Sequence, residues 1–215
     1  MKTIAVVGYK GRMGSVIFET LSKDFKVIGV DRNTSLNDAY MADLVVDFSI
    51  AENSVMVAQW CEQNKKPLII GVTGFSNEQL SKIRQCSKNI PIMMAGNFSL
   101  GIFLMKKMLA QIFDYKFDNI NLFEAHHKNK LDRPSGTAVE IANFVKDNFK
   151  QNIEIASVRG GEEIGTHKIN FYFGSEVLSV EHKAFSRIAF AEGVVVAANF
   201  MLKSKANRLY KFEEI

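Results

Sequence analysis

The stretch Thr3-Ile4-Ala5-Val6-Val7-Gly8-Tyr9-Lys10-Gly11-Arg12-Met13-Gly14 decides the fold of this chain. A short apolar run ends at Gly8, and glycines recur at every third position before a helical pattern begins. Glycines there let the backbone turn tightly and approach a pyrophosphate, whose charge is attracted to helix N-terminal N–H groups. Asp31 follows Gly8 by about 20 residues, the spacing at which an acidic residue binds a ribose hydroxyl. The stretch therefore predicts a nucleotide-binding turn rather than a turn whose glycines serve packing alone.

Outward from this turn, strand-like and helix-like segments alternate through the first hundred residues. The predicted strands are Thr3–Gly8, Lys26–Asp31, Leu44–Phe48, Pro67–Val72 and Pro91–Ala95. The predicted helices between them are Met13–Ser22, Ala51–Asn64 and Asn77–Ser87. Apolar strands separated by helices indicate a parallel sheet covered on both faces, and right-handed crossovers make it doubly wound. We predict an α/β domain with a Rossmann-like, doubly wound parallel sheet.

The second half of the chain has a different pattern, which predicts an α+β domain. Its predicted helices are Ser99–Phe113, Ser135–Phe149 and Val194–Lys203, and its first predicted strand is Phe117–Glu124. His167–Phe173 alternates apolar and polar residues, Gly174 and Ser175 turn the chain, and Glu176–His182 continues as a strand, which indicates a hairpin. On the first of these helices we expect four apolar side chains in the core, at Leu104, Met105, Met108 and Leu109.

Composition excludes several classes of protein. In the 215 residues, 27 Lys+Arg and 23 Asp+Glu give a net charge of +4, too small to predict nucleic-acid binding. The two cysteines, Cys61 and Cys86, have neither metal nor redox spacing, so we expect no disulfide framework and a reducing compartment. The apolar run Ile4–Val7 is too short for a secretory signal, and no stretch approaches the ~20 apolar residues of a membrane span. We expect a cytoplasmic protein without a membrane partner.

A second group of polar side chains lies at Glu124–Ala138, where a predicted strand ends and a helix begins. Ser135-Gly136-Thr137 opens that helix, so its hydroxyl and N–H groups can bind a carboxylate. Lys130 can supply a proton, and histidine titrates near neutral pH. An N-capped helix after a polar loop is the alternative, but this combination beside a dinucleotide fold favours a ligand site. Because His126 and His127 are adjacent and point in different directions, we predict no metal site.

Together these segments resemble the 4-hydroxy-tetrahydrodipicolinate (dihydrodipicolinate) reductase family of the diaminopimelate route to lysine. The run E-A-H-H-x-x-K-x-D-x-P-S-G-T-A from Glu124 resembles that family's signature. Further matching segments are G-x-x-G-R-M-G at Gly8–Gly14, G-V-T-G at Gly71–Gly74, A-G-N-F-S at Ala95–Ser99 and H-K-A-F-S-R at His182–Arg187. Arg133 stands where the family usually has alanine, and Gly96 where alanine is common. The resemblance extends over nearly the whole chain.

The resemblance implies an enzyme that reduces 4-hydroxy-tetrahydrodipicolinate to tetrahydrodipicolinate with NADH or NADPH. His126 would be the catalytic acid/base and Lys130 the proton donor. His127 would contact the dicarboxylate substrate, and Ser135, Gly136 and Thr137 would bind one of its carboxylates. The implied cofactor site consists of Gly8, Tyr9, Lys10, Gly11, Arg12, Met13, Asp31, Arg32, Phe48, Gly71, Val72, Thr73, Ala95, Gly96, Asn97 and Phe98. Asp31 favours ribose hydroxyls while Arg32 attracts a 2′-phosphate, so we expect both cofactors to be usable.

The resemblance also implies a domain organisation and an assembly. The dinucleotide-binding domain would be discontinuous, over 1–98 and 187–215. The substrate-binding and oligomerisation domain would occupy 99–186 and contain a mixed sheet. The expected assembly is a homotetramer formed through sheets of that second domain, with the hairpin His167–His182 as its interface.

Two other functions fit part of the sequence. Another nicotinamide-dependent amino-acid dehydrogenase on the same fold would explain the glycine turn and Asp31, but not the polar run after Glu124. A non-catalytic cofactor-sensing protein would bind the cofactor without oxidising it. Outside the motifs, Arg159 and Arg187 either extend an anionic pocket or pair at a surface or interface. For His167 and His182 we expect a structural hydrogen bond.

Overall fold

A computed structural model describes all residues from Met1 to Ile215, and the chain forms two compact units. Unit 1 comprises Met1–Ser99 and Phe190–Ile215, and unit 2 comprises Leu100–Ala189. Unit 1 is therefore discontinuous, because the chain leaves it, forms unit 2 and returns. None of the helices is both long enough and apolar enough to cross a membrane.

Ten strands and six α-helices make up the two units. The strands are β1 (Thr3–Val7), β2 (Lys26–Val30), β3 (Leu44–Asp47), β4 (Leu68–Ile70), β5 (Ile92–Met94), β6 (Asn119–His126), β7 (Glu154–Arg159), β8 (Gly165–Phe173), β9 (Glu176–Ala184) and β10 (Leu209–Tyr210). The helices are α1 (Arg12–Leu21), α2 (Ala51–Gln63), α3 (Asn77–Cys86), α4 (Leu100–Leu109), α5 (Gly136–Phe149) and α6 (Ile188–Met201).

Unit 1 contains a six-stranded parallel sheet in the order β10-β5-β4-β3-β1-β2. The sheet confirms the predicted Rossmann-like, doubly wound architecture. Strands β3 and β4 are buried along their whole length, as expected for apolar runs with both faces covered. From β1 the chain builds outward to β2 and then crosses back to β3, so the strand order reverses between β1 and β3. Ligands of such sheets bind at the carboxyl ends of the strands beside this reversal.

Helix α6 differs from its predicted extent, because it begins at Ile188 rather than Val194. Gly193 lies within it and is buried. A Cβ at Gly193 would overlap the carbonyl oxygen of Phe98, so glycine is what allows the helix to pack this closely. A glycine that weakens the helical pattern in the sequence is thus required by packing.

Unit 2 contains a four-stranded mixed sheet in the order β7-β6-β8-β9. Strands β6 and β7 are parallel, whereas β8 pairs antiparallel with both β6 and β9. The hairpin of β8 and β9 turns at Gly174, whose φ of 56° favours glycine. The sheet confirms the predicted α+β domain, but strand β7 was not among the predicted elements.

The core of unit 2 lies between one face of this sheet and the two helices α4 and α5. Its buried side chains are Ile120 and Leu122 of β6, Ile169 and Phe171 of β8, Ile102, Met105 and Leu109 of α4, and Ala138, Ile141 and Val145 of α5. Met105 and Leu109 are in the core as predicted, but Leu104 and Met108 are each 55% exposed, so that part of the prediction is wrong. Helical spacing from Ile102 places Met105 and Leu109 on the packed face and turns the other two outward.

Candidate active site

A crevice of about 680 Å³ opens in unit 1 at the carboxyl ends of β1 and β3. It lies where the strand order reverses. The predicted cofactor residues that line it are Gly8, Lys10, Gly11, Asp31, Arg32 and Phe48. The crevice is therefore a candidate site for part of a dinucleotide.

The crevice owes its shape to glycine. Gly8 has a φ of 80°, and a Cβ there would lie 2.9 Å from the carbonyl oxygen of Phe48. A Cβ at Gly14 would overlap the carbonyl oxygen of Gly8. Gly11 is the N-cap residue of α1 and has no side chain that could cap the helix. The backbone N–H groups of the first turn therefore have no capping side chain as a partner. These features fit a pyrophosphate held by backbone groups alone.

Charged side chains stand at the rim of the crevice. The Lys10 ammonium lies 2.6 Å from Asp31 Oδ2, and this hydrogen bond, with one from the Asn33 backbone N–H, lowers the pKa of Asp31. The ionised carboxylate can accept hydrogen bonds from ribose hydroxyls. Arg32 is exposed and lines the same crevice, so a phosphate on the ribose could also be paired.

The remaining predicted cofactor residues do not line the crevice. The Phe48 ring covers Gly71, where a Cβ would overlap it, and lies 5.8 Å from the Phe98 ring between centroids. Thr73 and Gly96 also adjoin each other at the ends of β4 and β5. Val72, Ala95 and Asn97 lie in the same two connections, and Arg12 and Met13 open α1. The Tyr9 ring instead packs on Gly29 and Phe18.

Several residues that line the crevice were not predicted from the sequence. They are Val7, Val30, Thr34, Leu36, Ser49, Ile50, Glu52, Asn53 and Met56. Most of them follow β2 or β3. They belong to no motif. Only the strand order could have indicated them, because the connections beside the strand reversal form the walls of the crevice.

In unit 2, five buried polar side chains form what is here called the polar cluster: Glu124, His126, Ser135, Arg159 and His167. Successive residues of a strand face opposite sides, so Glu124 and His126 lie on the same face of β6 as the core residue Leu122. The helix-covered face of the sheet is thus apolar along part of its length and polar at the end of β6.

Glu124 lies at the centre of the polar cluster and is completely buried. Arg159 binds it with two hydrogen bonds, Nη1 to Oε2 and Nη2 to Oε1, each 2.8 Å. His126 Nδ1 lies 2.5 Å from Oε2. Burial opposes ionisation of Glu124, but hydrogen bonds from Arg159, Ser157 and His126 outweigh it and lower the pKa to about 2.

Three histidine rings lie side by side on the neighbouring strands β6, β8 and β9. His126 and His167 have ring centroids 5.2 Å apart, and His167 pairs across the hairpin with His182, whose ring is stacked at 6.2 Å. Burial lowers the pKa of His126 despite the neighbouring Glu124, and burial with the neighbouring histidines lowers the pKa of His167 to about 3. His167 Nε2 lies 3.3 Å from Ser135 Oγ, which is the kind of structural hydrogen bond expected for it.

The loop between β6 and α5 places Lys130 beside the start of the helix. The Lys130 ammonium lies 2.9 Å from Asp132 Oδ1, and Asp132 Oδ2 accepts a hydrogen bond from Gly136 N–H. Ser135 caps α5 by accepting from Ala138 N–H. His127 and Thr137 are half-buried on either side of this loop.

Three connecting residues of this region were not among the assigned site residues, although Arg159 was considered for an anionic pocket. Glu124 lies two residues before His126 on a strand, so its shared face was a usable signal. Arg159 forms a buried ion pair with Glu124, so its pairing is not at the surface. Asp132 holds Lys130 and Gly136 through the two oxygens of one carboxylate.

Comparison with known proteins shows which family this chain belongs to. The family model described as Dihydrodipicolinate reductase, N-terminus, matches residues 2–98, and that described as Dihydrodipicolinate reductase, C-terminus, matches residues 101–215. The chain belongs to the dihydrodipicolinate reductase family. Members of this family use NADH or NADPH, so the chain is an oxidoreductase of diaminopimelate and lysine biosynthesis. The resemblance inferred from the sequence is thereby confirmed.

Individual relatives agree with this family assignment. The 4-hydroxy-tetrahydrodipicolinate reductase of Clostridium tetani is 34% identical over 99% of this chain and 96% of its own length. That of Colwellia psychrerythraea is 36% identical over 87% of this chain and 78% of its own length. A solved dihydrodipicolinate reductase from Paenisporosarcina sp. TG-14, with dipicolinate bound, has a TM-score of 0.86 at 23% identity, covering 100% of this chain and 99% of that one. An aspartate dehydrogenase from Thermotoga maritima has a TM-score of 0.55 at 12% identity over 95% of this chain and 98% of that one, a likeness of fold alone.

Proposed function

We propose that unit 1 binds NADH or NADPH and that unit 2 binds 4-hydroxy-tetrahydrodipicolinate for its reduction to tetrahydrodipicolinate. The observation that supports this function most strongly is how two carboxylates of unit 2 hold the assigned residues. Glu124 contacts His126 and the Ser135 N–H. Asp132 contacts the Lys130 ammonium and the Gly136 N–H.

The cofactor is assigned to the carboxyl edge of the parallel sheet. Gly8 and Gly11, with the N-terminus of α1, would hold the pyrophosphate, and Asp31 and Arg32 would bind the ribose and any phosphate on it. The other residues proposed to complete the site are Tyr9, Lys10, Arg12, Met13, Phe48, Gly71, Val72, Thr73, Ala95, Gly96, Asn97 and Phe98. When bound, the reduced nicotinamide supplies the hydride. We expect the affinities for NADH and NADPH to differ by less than about a hundredfold, because the rim carries both Asp31 and Arg32.

The substrate is a cyclic dicarboxylate, so its recognition requires cationic and N–H donors. We assign one carboxylate to Ser135, Gly136 and Thr137 at the start of α5, with His127 contacting the substrate as well. Asp132 uses the Gly136 N–H and the Lys130 ammonium in this structure. A substrate carboxylate of the same charge would take over these donors from Asp132.

Lys130 and His126 are assigned to proton movement. The hydroxylated ring must first lose its hydroxyl as water, which leaves a conjugated imine. Hydride addition to a ring carbon of that imine leaves electron density on the ring and its nitrogen, and a proton must quench it. The Lys130 ammonium can donate that proton, with His126 as the acid/base beside it. A positioned proton donor typically contributes about 10²–10⁴ in rate.

The assay that tests the proposed function measures oxidation of NADH and of NADPH by the full-length chain with enzymatically generated substrate. We expect turnover with both cofactors and none with free aspartate or diaminopimelate. Lys130→Ala and His126→Ala are expected to lower kcat by about 10²–10⁴, because each removes a group that moves a proton. Cofactor affinity, followed by fluorescence titration, should be retained.

Lys128→Ala is the matched control, because Lys128 is an exposed lysine of the same loop outside the assigned machinery. Its kcat should stay at the wild-type value. Near-normal turnover of Lys130→Ala would contradict the assignment. Turnover with a free amino acid would indicate a dehydrogenase instead, and binding of the cofactor without turnover would indicate a sensor.

We further propose a cytoplasmic homotetramer assembled through unit 2. The hairpin of β8 and β9 carries exposed apolar side chains at Tyr172, Val177 and Leu178, which would be covered in such an assembly. Sedimentation of the purified chain measures the assembly directly, and a monomer would contradict it.

A further inference from the structure

We propose that Glu124, held in place by Arg159, is a positioning residue that fixes the tautomer of His126. The inference rests on the proposed role of His126 in proton movement, and it adds a residue pair that this role requires. Its basis is the geometry of one buried carboxylate that meets a guanidinium and an imidazole at the same time.

The carboxylate of Glu124 is ionised, because the planar Arg159 guanidinium binds both of its oxygens. The side chain of Arg159 is 4% exposed and that of Glu124 is fully buried, so neither charge is screened by water. An ionised carboxylate has no proton to give and acts only as an acceptor. The hydrogen bond between Glu124 and His126 must therefore be donated by His126.

It follows that His126 carries a proton on Nδ1. Burial disfavours a second proton, so the ring is neutral and Nε2 holds a lone pair. The charged and titratable groups around the ring are Glu124 on β6, Arg159 on β7, His167 on β8, and Lys130 and Glu163 from the loops. A Cβ at Gly165 would lie 3.0 Å from Nε2, so glycine leaves space beside this nitrogen. In this neutral form His126 accepts a proton or a hydrogen bond at Nε2, and it can donate from Nε2 only after taking up a proton there.

The same ion pair also fixes the surroundings of the substrate-binding segment. Arg159 Nη2 donates to the carbonyl oxygen of Asp132 at 2.5 Å, within the loop that carries Lys130. Ser135 N–H points to Glu124 Oε1 at a longer 3.4 Å. The carboxylate and guanidinium thus connect strand β6, strand β7, the loop and the start of α5.

A purely structural ion pair would have the same distances, so the test must separate orientation from stability. Glu124→Gln keeps the shape but gives His126 an amide that can donate as well as accept. In a Ser-His-Asp triad, the corresponding change to an amide lowers kcat by about 10⁴ through the wrong tautomer. We expect Glu124→Gln to lower kcat by about 100-fold, within the range of acid–base contributions. The KM for substrate and the affinity for cofactor should change little.

Glu124→Gln also leaves the Arg159 charge without its carboxylate, which can unfold the chain. The double variant Glu124→Gln/Arg159→Gln removes both charges and is expected to recover thermal stability but not kcat. Glu140→Gln is the matched stability control, because it removes the carboxylate partner of the buried Lys106 in the same unit. It should lower the melting temperature without a comparable loss of kcat.

The tautomer itself is measured by ¹⁵N NMR of the full-length wild-type chain without ligands, with the His126 signals assigned by their loss in His126→Gln. We expect a protonated Nδ1 and an unprotonated Nε2 at neutral pH, and a shift toward the opposite tautomer in the double variant. A protonated Nε2 in the wild-type chain would overturn the proposal. So would losses of kcat that follow melting temperature equally in the Glu124 and Glu140 variants.

These measurements also separate this proposal from the proposed function. If the wild-type chain oxidises neither NADH nor NADPH with the substrate, the proposed function fails. The NMR measurement needs no turnover, so it decides the tautomer in either case.

Discussion

The crevice of unit 1 and the polar cluster of unit 2 both lie at ends of strands. Glycines form the crevice, whereas buried charged side chains form the polar cluster. In the crevice, Gly8 and Gly14 bring the backbone close, and the charges of Lys10 and Asp31 stay at the rim. In the polar cluster, Glu124 and Arg159 are paired without water. Backbone shape prepares the first site for an anion, whereas orientation of side chains prepares the second.

The largest expected effect on this comparison comes from adding a side chain to the crevice. A Cβ at Gly14 would overlap the Gly8 carbonyl oxygen, and neither backbone can move without shifting α1 against β1. We expect Gly14→Ala to lower the free energy of unfolding by about 1–3 kcal/mol, as overpacking does, and to abolish cofactor binding. Urea unfolding followed through Trp60, the one tryptophan, reports on unit 1.

Gly96→Ala is the control for stability, since a Cβ there would meet only the Thr73 methyl at an ordinary 3.4 Å. Its free energy of unfolding should remain within about 0.5 kcal/mol of the wild-type value. Equal losses for Gly14→Ala and Gly96→Ala would show that backbone contact is not what shapes the crevice.

Acid should affect unit 2 mainly through His167, and the lowered pKa values of His126 and His182 act in the same direction. The pKa of His167 falls from 6.5 to about 3 on folding, so between these values the unfolded chain binds a proton that the folded chain does not. The free energy of unfolding of unit 2 therefore decreases as pH is lowered from 6.5 toward about 3. Below 4.5, protonation of Glu124, whose folded pKa is about 2, adds a further loss.

In unit 1 the buried Asp47 has the opposite effect, because burial raises its pKa and stabilisation from this group is lost as pH rises. All four histidines belong to unit 2, so their NMR signals report its unfolding while Trp60 reports that of unit 1. His167→Gln should flatten the pH dependence of unit 2 above pH 4.5. An unchanged slope in this variant would contradict the role of His167.

The smallest expected effect comes from the glycine at the start of α5. A Cβ at Gly136 would have no neighbour within 4 Å, in contrast to Gly14. We expect Gly136→Ala to change the free energy of unfolding by less than about 0.5 kcal/mol. A raised KM for substrate with unchanged stability would support Gly136 as a substrate contact. A loss of stability as large as that of Gly14→Ala would remove the difference between the two sites.

The parallel sheet could be predicted because β1 to β5 are short and predominantly apolar, a pattern that can be read without knowing which strands are neighbours. Strand β10 has two residues and gives no pattern. Strand β7 alternates exposed and half-buried residues, which is a weaker signal than a buried run. The predicted start of α6 was too late. Gly193 lies inside the helix, and its close approach to Phe98 depends on the tertiary structure, which no local pattern shows.

In the candidate site, too, some residues could be predicted from the sequence and others could not. His126, Lys130 and the Ser135–Thr137 turn lie in one continuous motif, so their proximity could be predicted. Arg159 comes from another strand, 35 residues after Glu124, and no local pattern indicates that it is buried. The crevice walls beyond the glycine turn depend on which strands are neighbours, and this is known only once the strand order is known.

The pairing of β10 with β5 has a consequence for synthesis on the ribosome. Leu209 and Tyr210 add to the free edge of β5 roughly a hundred residues after that strand has been made. Until then the nascent chain presents an edge whose backbone groups can pair with other chains. We expect the sheet of unit 1 to be completed only once β10 has been made and has left the ribosome, and until then β5 remains an edge strand.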